Sequence, residues 1–431
     1  MKKYLILLIA VFLPMWICAE PVDVETARQN ATDFLRNHSL ARGKDKMPSN
    51  KPLRLLHTQR QAINEDPTLY VFGNENNEGY VVIAGDDAAV SPVLGYSRTG
   101  TFDADNIPDN LRYWLGEYSK QLAFARNNPS SVKRAPSCTP RESISPLITS
   151  KWGQSAPFNN LCPFDSNYES EFDVRSKTGC FATALAQIMY YHKWPEHGSG
   201  SHSYEWEWHN GQILSADFGA TTYQWDKMKD TYTYEDEDPN DAVATLMYHC
   251  GVAANTYYTG DQSAVAWDSD TSGDNIVNGL VKYFNYSRSA THTLVTKPEQ
   301  FDAILYDELS SQRPVFITGF SENGGAGHAF ICDGYENGYF HFNFGWYGSW
   351  DDYYLLSAIN PSGYDFSYSN DIIYGIQRAG DTSVIDDVHF ELFPDGTAHL
   401  VEGNPEGDYI IPSSIQINGK NYVHDWKTSY F

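Results

Sequence analysis

Residues 178–194 read TGCFATALAQIMYYHKW, an apolar helical stretch with a thiol where its first turn would begin. Phe181, Leu185, Ile188, Met189 and His192 recur at helical intervals, Thr178 is a fair N-cap, and Pro195 marks the stop. A helix buried for packing alone has no need of a cysteine at that position. Unsatisfied N–H groups and the macrodipole place about half a positive charge at a helix start, which stabilises a thiolate. A lowered thiol pKa is what makes cysteine nucleophilic at neutral pH. Small buried cysteines are common, however, so Cys180 points to chemistry only if the chain also supplies its partners.

A nucleophilic cysteine needs an imidazole. Of the 13 histidines, His192 lies about 18 Å along the same helix at 1.5 Å per residue, and His197 lies beyond it. His328 differs: it stands in SENGGAGHAFICDGY, residues 321–335, where a glycine-rich loop runs into an apolar strand. A ring there projects from a rigid element beside backbone that a substrate can approach closely. Asn343 falls on the next strand, and an Asn337-Gly338 turn would put it on the same face as His328, where an amide can orient the ring. Gln154, in SKWGQSAPFNN, residues 150–160, carries an amide that can donate to the oxyanion of a tetrahedral intermediate.

Around this core the chain divides by composition. With 55 acidic against 30 basic residues and a net charge of -25, it would repel a phosphate backbone, which excludes nucleic acid as a partner. MKKYLILLIAVFLPMWICAE, residues 1–20, has the layout of a secretory signal peptide cleaved near Ala19. Its apolar run is broken by Pro14 and is shorter than the roughly 20 residues of a membrane span, and no later segment is apolar enough to cross a bilayer.

Residues 20–145 read as a small α+β unit. It has a helix from Val24 to Phe34, a hairpin in LYVFGNENNEGYVVIAGDD, and a helix with Leu111, Trp114, Leu115, Tyr118 and Leu122 on one face. It ends in ARNNPSSVKRAPSCTPRESIS, an exposed linker. Residues 146–380, dense in Tyr, Trp and Gly, give helices first, at 178–195, 241–253 and 276–284, and short antiparallel strands after. Residues 381–431 read as a short β appendage with Asp-Gly and Asn-Gly turns.

Cys138, Cys162, Cys180, Cys250 and Cys332 show no close pairs, so neither a zinc site nor a dense disulfide framework is indicated. No metal or cofactor is expected. EDEDPND from Glu235 reads as a solvated loop. DSDTSGDNIVNG from Asp268 has Gly279 where a calcium loop requires a bidentate Glu, and reads as a turn into a helix.

The order Gln154, Cys180, His328, Asn343 resembles the papain superfamily. The strings TGCFATALAQIMYYHKWP, GGAGHAFICDGY and FHFNFGWYGSWDDYYLLSAINP are similar to the streptopain family of bacterial cysteine peptidases, and GYVVIAGDDAAVSPVLGYSRTGTF resembles that family's inhibitory pro-region. The resemblance implies a papain-like catalytic domain behind an α+β pro-domain. It also implies a bacterial zymogen, secreted or held at the cell surface, that becomes an endopeptidase acting on proteins or peptides, with its own pro-domain as intramolecular inhibitor. Cys180 would be the nucleophile and His328 the general base and acid. Gln154 and the Cys180 N–H would form the oxyanion hole, and Asn343 and Trp346 would hold and shield the histidine. Where the family often shows Asn-Trp-Gly-Trp, this chain has Asn343-Phe344-Gly345-Trp346, with one indole donor fewer. The same constellation also serves transglutaminases and cell-wall amidases. A surface adhesin with a vestigial protease fold is a third reading. DYIIPSSIQINGKNYVHDW, residues 408–426, resembles the opening of a leucine-rich repeat, but a solenoid needs several stacked units, so a remnant or a short accessory hairpin is expected.

Overall fold

The computed structural model describes residues 20–39, 53–62, 65–74, 79–98, 100–129, 141–166, 174–206, 209, 211–233, 241–265, 272–295, 297–319, 328–359, 371–385, 388–403 and 413–424. The signal-like segment, the middle of the linker, the acidic run at 235–240 and the glycine-rich loop before His328 lie outside the described residues.

The N-terminal unit contains α1 (Val24–Ser39), β1 (Arg54–Gln59), β2 (Leu69–Gly73), β3 (Tyr80–Ala84), β4 (Val93–Ser97) and α2 (Asp109–Asn127). Next come β5 (Phe164–Asp165), β6 (Val174–Arg175), α3 (Cys180–His192), β7 (Ser201–Glu205), β8 (Ile213–Asp217) and α4 (Ala242–Ala253). They are followed by β9 (Thr256–Tyr257), β10 (Ala264–Val265), α5 (Ser272–Phe284), β11 (Thr291–Leu294) and α6 (Pro298–Ser310). The strand-rich part holds β12 (Val315–Gly319), β13 (His328–Glu336), β14 (Tyr339–Asn343), β15 (Asp352–Tyr354) and β16 (Asp371–Tyr374). The tail forms β17 (Asp381–Ile385), β18 (Val388–Leu392), β19 (Thr397–Gly403), β20 (Ser414–Ile417) and β21 (Lys420–His424). The class is α+β. The sequence reading passes over β1, β4, α6, β12 and β16 and the short strands β5 to β11. The apolar residues of α6, Phe301, Leu305 and Leu309, are spaced by four and follow a Pro at the first turn, a legible helix start.

The two units on either side of the linker share one antiparallel sheet of ten strands, ordered β1-β2-β3-β4-β15-β14-β13-β12-β16-β11. The join is β4 against β15, with Tyr96 opposite Tyr353 and Gly95 opposite Tyr354. Side chains alternate across this sheet, so each strand feeds two cores. Phe316, Ala329, Ile331 and Ile373 pack with α3, α4 and α5 on one face. Val315, Ile317, Phe330, Cys332 and Phe342 pack with α2 and α6 on the other. α2 thus belongs to the N-terminal unit yet buries Leu111, Trp114 and Leu115 against the later strands, with Trp114 edge-on to Phe342 at 4.9 Å between ring centroids.

The hairpin β13–β14 begins as the turn residues predict, with Glu336 opposite Tyr339 and Gly334 opposite His341, and then shifts by one residue, so that Cys332 faces Phe342 and Ile331 faces Asn343. Asp333 is the bulged residue. A one-residue slip reverses the faces beyond it, so Asn343 shares the α3 side with Ile331 and His328 shares the α2 side with Phe330. The expected common face is therefore not what forms. The bulge frees the fully buried Asp333 to accept from the Ile148 N–H at 3.0 Å and to pair with His341 Nδ1 at 2.6 Å.

Burial pulls the His341 imidazole down, but the Asp333 carboxylate outweighs it and, with Asp352 and Asp351 beside it, pushes it up to about 9. A histidine whose folded pKa exceeds its unfolded value stabilises fully below the unfolded pKa, about 6.5, and loses that contribution as pH rises through the folded one. Thermal melts should therefore show stability falling by roughly 2–3 kcal/mol between pH 6.5 and 10, a slope that His341→Gln removes. An unchanged slope in that variant would remove His341 from the account.

The tail builds more than a hairpin. Its five strands, ordered β17-β18-β19-β21-β20, enclose a small core of Val388, Phe390, Leu392, Ala398, Leu400 and Ile415. Ser287 Oγ donates to buried Glu391, tying this sheet to the preceding block.

Candidate active site

Cys180 is the first residue of α3, and Gly179 before it takes φ +85°, a left-handed conformation that glycine adopts without strain. A Cβ at Gly179 would also lie 3.0 Å from the Ser263 carbonyl oxygen. Thr178 is not the cap: its hydroxyl pairs with that of Thr183 at 2.9 Å, and no side chain caps the helix. The first-turn N–H groups are therefore left facing the sulfur. From the neighbouring strand, the Ala329 N–H donates to Cys180 Sγ at 3.3 Å, which places the residue after His328 directly against the thiol.

Gln154, Cys180, His328 and Trp346 line one pocket of 180 Å³. Gln154 reaches it from an irregular segment whose carbonyl accepts from the Thr178 N–H at 3.1 Å, which binds that segment to the approach of α3. Asn343 lies deeper, 3% exposed, with its amide turned toward α3. Its NH₂ donates to the Ser150 carbonyl at 3.0 Å, and its oxygen accepts from Gln187 Nε2 and the Gly345 N–H, each at 3.0 Å. These bonds hold the floor of the site, and the bulge at Asp333 is why they point there rather than along the face of His328.

Burial pushes the Cys180 thiol above its usual range; the N–H groups of Ala329, Phe181 and Cys180 oppose the rise, and the Asp109 carboxylate adds to it. Burial pulls the His328 imidazole down, opposed by Asp109. Both shifts disfavour a thiolate–imidazolium pair in this form.

The N-terminal unit contributes to this site. Asp109 and Asn110, at the start of α2, line the same pocket. Gln262 Nε2 donates to Asp109 at 3.1 Å, and Asn110 Nδ2 donates to the Phe344 carbonyl at 2.8 Å. Tyr113, one turn further on, faces the His328 ring at 6.4 Å between centroids. At the sheet join, Arg98 pairs with the buried carboxylate of Glu336, which also accepts from the Tyr96 hydroxyl at 2.9 Å. Removing a charge from such a pair typically costs 2 kcal/mol or more of docking energy, an order-of-magnitude figure. Arg98→Ala should thus shorten the lifetime of the full-length chain when precursor loss is followed on gels. An unchanged time course would show that this pair does not hold the unit in place.

Sequence reasoning passes over Asp109, Asn110 and Tyr113, and also Lys177, Asp261, Gln262 and Tyr347, which line the pocket as well. The loop Thr259–Ser263 folds against the approach to Cys180, its Thr259 carbonyl accepting from the Lys177 N–H at 2.9 Å. Only Tyr347 carried a signal, as the next residue of the FNFGWYG run after Trp346.

Residues 152–354 match the peptidase C10 family, and residues 19–122 match the Spi protease inhibitor. The chain is 29% identical, over 99% of its length, to a thiol protease/hemagglutinin of Porphyromonas gingivalis, and spans about half (49%) of that relative. It is 29% identical to streptopain of Streptococcus pyogenes over 68% of this chain and 75% of that one. Among solved structures, a prointerpain A fragment of Prevotella intermedia superposes with a TM-score of 0.60 at 32% identity, covering 75% of this chain and 98% of the fragment. A papain-like sheet-and-helix body preceded by an inhibitor-like α+β unit is thus what fold and comparisons agree on, and the chain belongs to the peptidase C10 family.

Proposed function

We propose that the chain is a bacterial cysteine endopeptidase made as an inactive precursor and exported through residues 1–19. One observation carries this reading: Cys180 stands at an uncapped helix start in a pocket shared with His328, and Asp109 and Asn110 of the inhibitor-like unit line that pocket with them. Once the unit withdraws, burial of the thiol relaxes and the helix start favours the thiolate. His328 takes the Cys180 proton. The sulfur then attacks the substrate carbonyl carbon, and Gln154 with the Cys180 N–H receives the negative oxygen. Collapse breaks the C–N bond, the imidazolium returns its proton to the leaving amine, and water hydrolyses the thioester with His328 as base. Trp346 shields the histidine. Asn343 acts from beneath, through Ser150 and Gln187, a positioning role and not a direct hold on the ring.

The substrates on this reading are proteins or peptides, and the first partner is the chain's own N-terminal unit, cleaved off within the linker. An epoxysuccinyl peptide should label Cys180 after linker cleavage and leave the full-length chain unlabelled. Parallel assays of peptide hydrolysis and amine incorporation separate a peptidase from a transglutaminase. Amine incorporation without hydrolysis would overturn the assignment, and no labelling at all would favour a non-catalytic surface protein.

A further inference from the structure

We infer that Tyr347 is a positioning residue for Gln154 and, through it, for the oxyanion of acyl transfer; the inference rests on the peptidase reading above. A side-chain amide stabilises a developing charge only when the backbone that bears it is fixed in advance. Gln154 sits in the segment Trp152–Ser155, which belongs to no helix or strand. Tyr347 grips this segment on both sides of Gln154. Its own N–H donates to the Trp152 carbonyl at 3.1 Å, and its hydroxyl accepts from the Ser155 N–H at 3.0 Å. Between the two, the phenol ring lies flat on Gly153, so close that a Cβ there would fall 2.3 Å from ring carbons. The fourth fixed point is the Thr178 N–H on the Gln154 carbonyl, from the residue two before Cys180. Nucleophile and oxyanion donor are thereby referred to one frame.

The residue is otherwise hard to account for. Tyr347 takes φ +58°, a conformation that strains a bulky side chain and that a glycine would adopt freely. The residue remains 42% exposed, so burial does not repay the strain; its aromatic neighbour Phe158 stands 5.8 Å away between centroids. Strain concentrated beside a reacting thiol fits a part kept for geometry.

The test uses the full chain, converted by trypsin at Lys133 or Arg134 of the linker and then freed of trypsin activity with a serine-protease inhibitor. This conversion does not depend on the variant's own activity. Tyr347→Phe, which keeps the ring and loses the hydroxyl, should lower kcat about threefold. Tyr347→Ala should lower it by roughly tenfold to a hundredfold, bounded by the 10² to 10³ typical of losing an oxyanion donor outright. KM should move by less than about twofold, and the rate of Cys180 alkylation by iodoacetamide, which needs no oxyanion hole, should not change. In a Gln154→Ala background, both Tyr347 substitutions should have almost no further effect, since residues acting as a unit are not additive. Wild-type kcat in both variants, or losses that multiply with Gln154→Ala, would overturn the inference. Should Tyr347→Ala fail to fold, Tyr347→Phe in the two backgrounds decides. A wild-type chain that alkylates but hydrolyses no peptide refutes the peptidase reading itself, a different result from any of these.

Discussion

Cys180→Ala should give a folded precursor whose linker stays intact and whose peptide hydrolysis falls by on the order of 10⁴-fold or more, the scale expected when a covalent nucleophile is removed. Stability should barely move. The Cys180 sulfur accepts only weak N–H contacts, that of Ala329 at 3.3 Å among them, so truncation to alanine leaves no charged or strongly polar side chain stranded. The measurement pairs a thermal melt with turnover of a fluorogenic peptide after trypsin conversion, and N-terminal sequencing of the untreated chain reports on the linker. A variant that melts like the wild type yet retains hydrolysis would end the assignment of Cys180. A variant that does not fold would leave the epoxide labelling to decide.

The second large effect concerns the thiol's protonation state. In the full-length chain, burial pushes the thiol up and pulls the imidazole down, and Asp109 and Asn110 of the N-terminal unit line the pocket that holds both. Alkylation follows the thiolate fraction, so each unit by which a thiol pKa falls is worth about tenfold in rate at a pH below it. Iodoacetamide should therefore react slowly with the precursor at pH 7 and faster as pH rises through the raised thiol pKa. After conversion the rate at pH 7 should climb by at least about tenfold and lose most of that upward slope. Asp109→Asn separates charge from coverage: it removes a carboxylate that disfavours the thiolate, so the intact precursor should alkylate faster while still hydrolysing nothing. Identical pH profiles before and after conversion would mean that the unit obstructs the cleft without altering its acid-base state.

Local features were readable from the chain, and long-range ones were not. The helical spacing of Phe181, Leu185, Ile188 and Met189 predicts α3, and the repeat of Leu111, Trp114, Leu115 and Tyr118 predicts α2, because one buried stripe imposes one period. The Asn337-Gly338 turn is predicted for the same reason, since its residues tolerate positive φ at 52° and 92°. The bulge at Asp333 is not: it depends on partners, the Ile148 N–H and His341, that approach from outside its strand. The cap at Cys180 misleads in the same way. Thr178 has the right chemistry, but the backbone turns at Gly179, where the Ser263 carbonyl leaves no room for a side chain. Pairing of β4 with β15 joins residues more than 250 positions apart, and no local pattern encodes it. Gln154, Cys180, His328 and Trp346 could be gathered by resemblance, whereas Asp109 became visible only where the two units meet.

The seam between β4 and β15 also bears on the fate of the processed protein. A strand that loses its neighbour bares a row of amide and carbonyl groups, and such rims invite polymerisation with any extended peptide. Here the bared rim would be three residues long, Asp352–Tyr354, and it opens with Asp352 directly after Asp351. Brevity and carboxylates together are how many proteins guard an unpaired margin. On the zymogen reading, release of the N-terminal unit would uncover a margin poorly suited to recruiting another copy, which favours a dispersed body over self-association.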